Sequence, residues 1–261
     1  MRWKSAIAAV FAIAAFTACP PGTDAAEWWG HQLPNAPTHF IFGYGSLINT
    51  SSRNATAGKP TEAIPVRISA AFGYVRSWNE RSPSGYTSLG LRKPHLDENA
   101  STINGVLYPA DGDDMTKFDA RERHYTRLSI PKDAIQSVGW QRIPEQGQIW
   151  VYVPVPQGNP PLHDLPEPDA DFPLLESYID VVVEGALEYG PEFARELLET
   201  TTGWSRFWLN DRELAHRPWV HNRNAAAIDR LLASVAPASR YFPDRAFAER
   251  YAARWLLEKQ R

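Results

Sequence analysis

The first half of the chain is divided into short apolar runs of strand type. Each run is rich in β-branched or aromatic residues and is bounded by Pro, Gly or Asn, as strands usually are. A polar segment at Asp113–Arg121 has acidic residues in its first turn and predicts a short helix. The pattern predicts six strands, at His39–Phe42, Val66–Trp78, Thr87–Leu91, Ile103–Tyr108, Tyr125–Ile130 and Ile149–Val155.

The pattern changes to helical spacing after a Pro-rich connection at 154–168. Apolar residues recur at intervals of three and four from Leu175 to Leu187, which places them on one face of a helix. Similar spacing occurs at Phe193–Leu198, Ile228–Leu232 and Phe247–Leu257. A strand-rich half followed by a helical part favours an α+β fold over a doubly wound parallel sheet.

The N-terminus has the layout of a secretory signal, because Arg2 and Lys4 precede an apolar run at 6–18. That run is shorter than the ~20 residues that a transmembrane helix needs. The one cysteine of the chain follows in Phe16-Thr17-Ala18-Cys19, which resembles the lipobox of bacterial lipoproteins, with Phe16 in place of the usual leucine. Ordinary signal cleavage near Ala25-Ala26 is the alternative.

These observations predict four parts of the chain. They are a signal peptide at 1–18, a tether at 19–38 that is rich in Pro, Gly and Ala, a strand-rich domain at 39–160, and a helical C-terminal region at 161–261 packed on that domain. We expect an exported protein of the bacterial cell envelope or periplasm, held at a membrane surface by lipid on Cys19.

Composition excludes several classes of function. A formal charge of −3 without a basic stripe argues against nucleic-acid binding. The lone cysteine lies in the export signal, so the folded part has neither an internal disulfide nor a thiol nucleophile. The seven histidines show no metal-ligand spacing, and we expect no metal and no cofactor.

Two segments carry candidate chemistry. In Gly43-Tyr44-Gly45-Ser46 the glycines permit close approach of a ligand, and successive N–H groups bind an anion or oxyanion, although a plain tight turn has the same composition. Glu122 stands in an Arg-Glu-Arg run, whose spacing alone favours a surface ion-pair cluster, and a carboxylate in such a run can serve as a general base only if burial raises its pKa. Its neighbours Arg121 and Arg123 are expected to point away from it.

The chain resembles the γ-glutamylcyclotransferase superfamily, including its ChaC-type members, over about residues 40–155. A looser likeness, in Ser177-Tyr178-Ile179-Asp180, is found in the helical region, whose role stays open. The resemblance rests on segments that follow the family's order: Phe42-Gly43-Tyr44-Gly45-Ser46-Leu47-Ile48, Asn104-Gly105-Val106-Leu107-Tyr108, Phe118-Asp119-Ala120-Arg121-Glu122 followed by Tyr125, and Val151-Tyr152-Val153.

The resemblance implies a small mixed β-barrel with flanking helices and a substrate cavity at one mouth. It also implies that Glu122 is the general base and that the substrate is held by Tyr44, Gly45, Ser46 and Leu47. The implied reaction converts a γ-glutamyl peptide, glutathione or a γ-glutamylamine to 5-oxoproline and a released amine, without a cofactor. The choice among these small-molecule substrates is open, and we expect a monomer.

Two other functions remain open at this point. One is a lipoprotein that binds a ligand on the same fold without catalysis, and the other is an amide or ester hydrolase that uses water as the nucleophile. Arginines that could clamp a substrate carboxylate are Arg76, Arg81 and Arg92.

Overall fold

The computed structural model describes residues 26–28, 31–33, 37–155, 165–214 and 224–257. The chain divides into two units, Met1–Ala36 and Pro37–Arg261. In the first unit, strands β1 (Ala26–Trp28) and β2 (His31–Leu33) pair antiparallel, within the segment predicted as a tether. The predicted signal peptide and Cys19 lie outside the described residues.

The second unit contains a strand-rich part followed by a mainly helical part. Its strands are β3 (His39–Gly43), β4 (Ile64–Ile68), β5 (Val75–Ser82), β6 (Tyr86–Arg92), β7 (Ile103–Pro109), β8 (Tyr125–Ser129), β9 (Ile135–Ser137), β10 (Gln148–Pro154), β11 (Leu174–Leu175), β12 (Thr201–Thr202), β13 (Trp208–Asn210) and β14 (Ala246–Phe247). Its α-helices are α1 (Thr50–Ala57), α2 (Asp113–Arg121), α3 (Glu176–Leu187), α4 (Pro191–Glu199), α5 (Ala225–Ser234), α6 (Ala238–Tyr241) and α7 (Ala248–Tyr251).

The main sheet has six strands in the order β8-β10-β3-β7-β4-β9. It is mixed, because β10 and β3 run parallel while the other neighbours run antiparallel. Phe40, Ile41 and Phe42 of β3 are all buried, which fits the continuous apolar run of a central strand. The strand pairs found in the described residues form an open sheet with β8 and β9 at its edges, so the α+β class is confirmed and the closed barrel is not found among them.

A second sheet is built on the hairpin of β5 and β6, with β12 along the edge of β5. The prediction of one strand over Val66–Trp78 is wrong. A 3-10 turn at Ala70–Phe72 separates β4 from β5, and it ends at Gly73, whose φ of 76° lies in the left-handed region. The apolar run therefore supplies strands to two different sheets.

The helical part packs on the strand-rich part through α3. A Cβ at Gly185 of this helix would lie 2.4 Å from the backbone nitrogen of Asn49, so glycine is needed for this close approach. A further three-stranded sheet, β11-β13-β14, lies in the same part of the chain. Among the described residues no helix has the length and apolar character needed to cross a membrane.

Candidate active site

The turn after β3 presents backbone donors. Ile48 donates a backbone hydrogen bond of 2.9 Å to the carbonyl of Gly45, at the start of a short 3-10 helix over Ser46–Ile48. Among the hydrogen bonds of turns, loops and helix caps in the described residues, none is donated by the N–H of Gly45 or of Ser46. Both residues line the recess described below, so their N–H groups are candidates to bind an anionic group or oxyanion of a ligand.

The side chain of Tyr44, in the same turn, is buried. Its hydroxyl donates a hydrogen bond of 2.8 Å to the carbonyl of Tyr152 on β10. Burial, followed by the charge of Glu122, raises the pKa of Tyr44 well above the usual value for tyrosine. The phenol is therefore neutral and fixed, and Tyr44 is at once a core aromatic and a wall of the site.

Glu122 occupies the end of α2, where the chain turns into β8. Its N–H donates to the carbonyl of Phe118 (2.9 Å), and its own carbonyl accepts from Tyr125 (2.8 Å), so the backbone is held on both sides. The Glu122 side chain is only 15% exposed. Burial raises its pKa, although the charge of Arg121 acts in the opposite direction. A carboxylate with a raised pKa accepts and returns a proton more readily near neutral pH.

Arg121 joins the two candidate segments. Its Nε lies 3.2 Å from Oε1 of Glu122, and its Nη2 donates a hydrogen bond of 3.0 Å to Oγ of Ser46. The guanidinium also donates to Thr56 and to Oγ of Ser52 on α1. The expectation that the neighbouring arginine points away from Glu122 is therefore wrong for Arg121. The turn between α2 and β8 lets this side chain fold back across the carboxylate.

A cavity of about 550 Å³ opens beside Glu122. A smaller recess of about 40 Å³ shares Ser46, Glu122, Tyr125 and Tyr178 with it. The recess is lined in addition by the predicted substrate residues Tyr44, Gly45 and Leu47. All predicted site residues of the folded part, namely Tyr44, Gly45, Ser46, Leu47 and Glu122, thus meet at one place in the molecule.

The helical region contributes to the same site. Tyr178 and Val181 of α3 line the larger cavity, and the Tyr178 hydroxyl lies near the turn, 3.5 Å from where a Cβ of Gly45 would stand. Burial, with the neighbouring Tyr86, raises the pKa of Tyr178 to about 12, so its hydroxyl keeps its proton at neutral pH. Helix α3 is therefore one wall of the site.

The three arginines considered as clamps lie outside the lining of the cavity and the recess, although Nη1 of Arg76 donates a hydrogen bond of 3.4 Å to the carbonyl of Tyr44 in the turn. Arg76 is fully buried and donates to the carbonyl of Asn104 (2.7 Å) and to that of Leu197 (3.0 Å), so it joins the sheet to α4. Arg81 pairs with Asp169 and Arg92 with Glu98. None of these arginines lines the cavity or the recess, and the guanidinium at the site is that of Arg121.

Several residues that line the cavity were assigned no role by sequence reasoning, and three of them carry polar groups that matter for the chemistry. Glu80 is a second carboxylate, and Arg121 and Tyr178 contribute a cation and a phenol. Tyr178 carried a signal, since it stands in the segment that loosely resembles the superfamily. Glu80 carried none, because a glutamate near the end of a strand is ordinarily a surface residue.

No group of three or more His, Cys, Asp or Glu side chains that could hold a metal ion is found in the described residues. These residues form a concave site whose volume is in the range of small-molecule pockets, with a buried carboxylate, a guanidinium and the backbone N–H groups of the turn. The fold that holds this site is of the α+β class, with a mixed main sheet.

No protein-family model matches the chain, and no curated protein matches it. Among solved structures it is similar to a gamma-glutamyl cyclotransferase at 12% identity and a TM-score of 0.47, over 74% of this chain and 98% of that one. A yeast gamma-glutamyl cyclotransferase specific to glutathione has 15% identity and a TM-score of 0.30, over 78% and 94% of the two chains. An uncharacterized human protein has 13% identity and a TM-score of 0.43, over 60% and 85%.

Proposed function

We propose that this chain is an enzyme of the γ-glutamylcyclotransferase type, which converts a γ-glutamyl compound to 5-oxoproline and a released amine. The observation that supports this most is that the Glu122 carboxylate, with its pKa raised by burial, lines the same recess as the turn at 44–47. The ordered resemblance of residues 40–155 to the superfamily agrees with it.

In the proposed reaction Glu122 takes a proton from the α-ammonium group of the substrate. The freed amine attacks the γ-carbonyl carbon of the same molecule and forms the carbon–nitrogen bond of a five-membered ring. Glu122 gives its proton to the leaving nitrogen, and the amide carbon–nitrogen bond then breaks. Glu122 next takes the second proton that the ring nitrogen must lose and passes it to the released amine, which leaves as an ammonium ion. The carboxylate ends as it began, so no cofactor enters the balance.

The turn at 44–47 completes this chemistry. Negative charge develops on the carbonyl oxygen during attack, and the N–H groups of Gly45 and Ser46 are donors suited to it. Nucleophile and electrophile belong to one molecule, so holding them in contact is worth an effective molarity of roughly 10⁵ M or more. Leu47 is buried at the recess, and its apolar surface disfavours water there.

The test is replacement of Glu122 by Gln, which keeps the size of the side chain and removes its basicity. A general base contributes about 10² to 10⁴ in rate, so we expect kcat for 5-oxoproline formation to fall at least about a hundredfold with a smaller change in KM. Glu249→Gln is the matched control, because Glu249 is exposed and lines neither the cavity nor the recess. Circular dichroism checks that both variants fold.

The products formed from a panel of γ-glutamyl peptides, glutathione and γ-glutamylamines decide among the open functions. 5-Oxoproline means cyclisation, and free glutamate means hydrolysis by water. Binding of the panel without turnover means a ligand-binding lipoprotein. Full activity of Glu122→Gln would refute the role of this carboxylate while leaving the reaction itself standing.

For the location of the protein, we propose an exported form that begins at a lipidated Cys19. The support is the position of this cysteine directly after the apolar run at 6–18. Stable anchoring needs more than one acyl chain, which the lipoprotein pattern provides. Intact-mass analysis of the mature protein should give a chain that starts at Cys19 with added acyl groups. An unmodified N-terminus at residue 20 or later would contradict this.

A further inference from the structure

Glu80 is a second carboxylate at the cavity, and a β-bulge stands directly before it. Trp78 pairs with Leu89 while Glu80 pairs with Ser88, so Asn79 is an extra residue in β5. Bulges of this kind change the direction of the side chains that follow them. Glu80 and Ser82, two positions apart on the strand, both line the larger cavity.

The Glu80 carboxylate lacks the partner that Glu122 has. Arg121 contacts Glu122, whereas no hydrogen bond or ion pair to the side-chain oxygens of Glu80 is found across the described ranges. Burial, followed by the charge of Glu122, raises the pKa of Glu80 to about 7. A carboxylate placed in a cavity without a counter-ion costs stability, and a cationic ligand would remove that cost.

The position of Glu80 indicates which part of a substrate it faces. The turn at 44–47 and Glu122 line the small recess, so the reacting carbonyl lies there under the proposed function. Glu80 lines the larger cavity and not the recess. The amine that leaves during cyclisation therefore extends from the recess toward Glu80.

We propose that Glu80 selects γ-glutamyl compounds whose leaving amine carries a positive charge at its far end, such as γ-glutamyl derivatives of diamines. This inference rests on the proposed function. A distal ammonium group forms a charge-assisted hydrogen bond with Glu80. A distal carboxylate, as in a γ-glutamyl dipeptide, meets Glu80 and Glu122 together and is repelled by both.

Three amides of glutamate with equal chain length test this, made at the γ-carboxyl with 1,4-diaminobutane, butylamine and 4-aminobutyrate. Their leaving amines end in a cation, a neutral methyl group and an anion. In the wild-type full chain we expect kcat/KM for 5-oxoproline formation to be at least about tenfold higher for the cationic than for the anionic substrate. The neutral substrate should lie between them.

Glu80→Gln should bring this ratio close to one, with the neutral substrate changed less than about threefold. Glu80→Lys should reverse the preference, and Glu249→Gln should leave it unchanged. In the wild type the preference should strengthen as the pH rises through about 7, where Glu80 ionises. The other charged or titratable residues at the cavity, which remain in Glu80→Gln and serve as the internal comparison, are Tyr86, Arg121, Glu122, His124, Tyr125 and Tyr178.

The outcomes separate this inference from the function on which it rests. Turnover of all three amides at similar rates would overturn the role of Glu80 and leave the cyclotransferase function standing. An equal loss of turnover for all three in folded Glu80→Gln would also overturn it, since the residue would then act in catalysis generally. The absence of 5-oxoproline from every substrate would overturn both proposals.

Discussion

Removing the positive charge of Arg121 should move the acid side of the pH–rate profile to higher pH. Arg121 lies 3.2 Å from Glu122 and favours its ionised form, acting against the burial that raises the pKa of Glu122. In Arg121→Met the burial remains and the cation is lost, so the pKa of Glu122 rises further. A higher pH is then needed to produce the basic carboxylate.

The size of the effect follows from the exposure of the pair. Unit charges about 4 Å apart interact by about 4 kcal/mol at an effective dielectric constant of about 20, and exposed pairs by about 0–1 kcal/mol. The side chains of Arg121 and Glu122 are 31% and 15% exposed, which places this pair between the two limits. We expect about 1.4 kcal/mol, or a tenfold change in the ratio of ionised to neutral Glu122.

The assay is kcat/KM for 5-oxoproline formation as a function of pH. On the acid side Arg121→Met should fall about tenfold below wild type, with a smaller difference where Glu122 is fully ionised. Arg121→Lys keeps the charge and should keep the acid limb near its wild-type position, which separates charge from the hydrogen bonds to Ser46 and Ser52. An acid limb that stays in place in Arg121→Met, or moves to lower pH, would refute this account.

Two further predictions concern stability. Gly105→Ala should destabilise the fold by about 1–3 kcal/mol in urea unfolding, because its Cβ would lie 2.4 Å from the carbonyl oxygen of Gly43; an unchanged midpoint would contradict this. Burial raises the pKa of Glu80 to about 7 in the folded state, against about 4.3 in the unfolded state. Between these two pH values the folded state binds more protons than the unfolded state, so the free energy of unfolding falls as the pH rises. The melting temperature of Glu80→Gln should therefore exceed that of the wild type above about pH 7 and equal it below about pH 4. Equal melting temperatures above about pH 7 would show that the pKa of Glu80 is not raised in the fold.

Local sequence determined much of the element order. The helix predicted at Asp113–Arg121 has those bounds in α2, and the apolar spacing at 175–187 corresponds to α3. These elements are set by periodicity and by acidic residues in the first turn, which act over a few neighbouring positions. The run at 66–78 shows the limit of this reasoning. Apolar character continues across a turn that Gly73 permits with its positive φ of 76°, so one run contains two strands.

The sequence also marked the turn at 44–47 and Glu122 as candidates, but only the tertiary structure brings them together. Residues 44–47 and Glu122 are far apart in the chain, and they meet because β3 lies inside the main sheet and Glu122 ends the helix that follows β7. Arg121 folds back onto Glu122, a rotamer choice that depends on Ser46 and Ser52 from elsewhere in the chain.

Glu80 and Tyr178 show what local pattern leaves undecided. A glutamate at the end of β5 has no local feature that separates it from a solvent-exposed one, and its raised pKa comes from burial and from Glu122. Tyr178 reaches the site because α3 packs closely at Gly185. Periodicity determines which face of an element is apolar, whereas the position of a charge relative to a cavity depends on long-range packing, and only the assembled fold decides it.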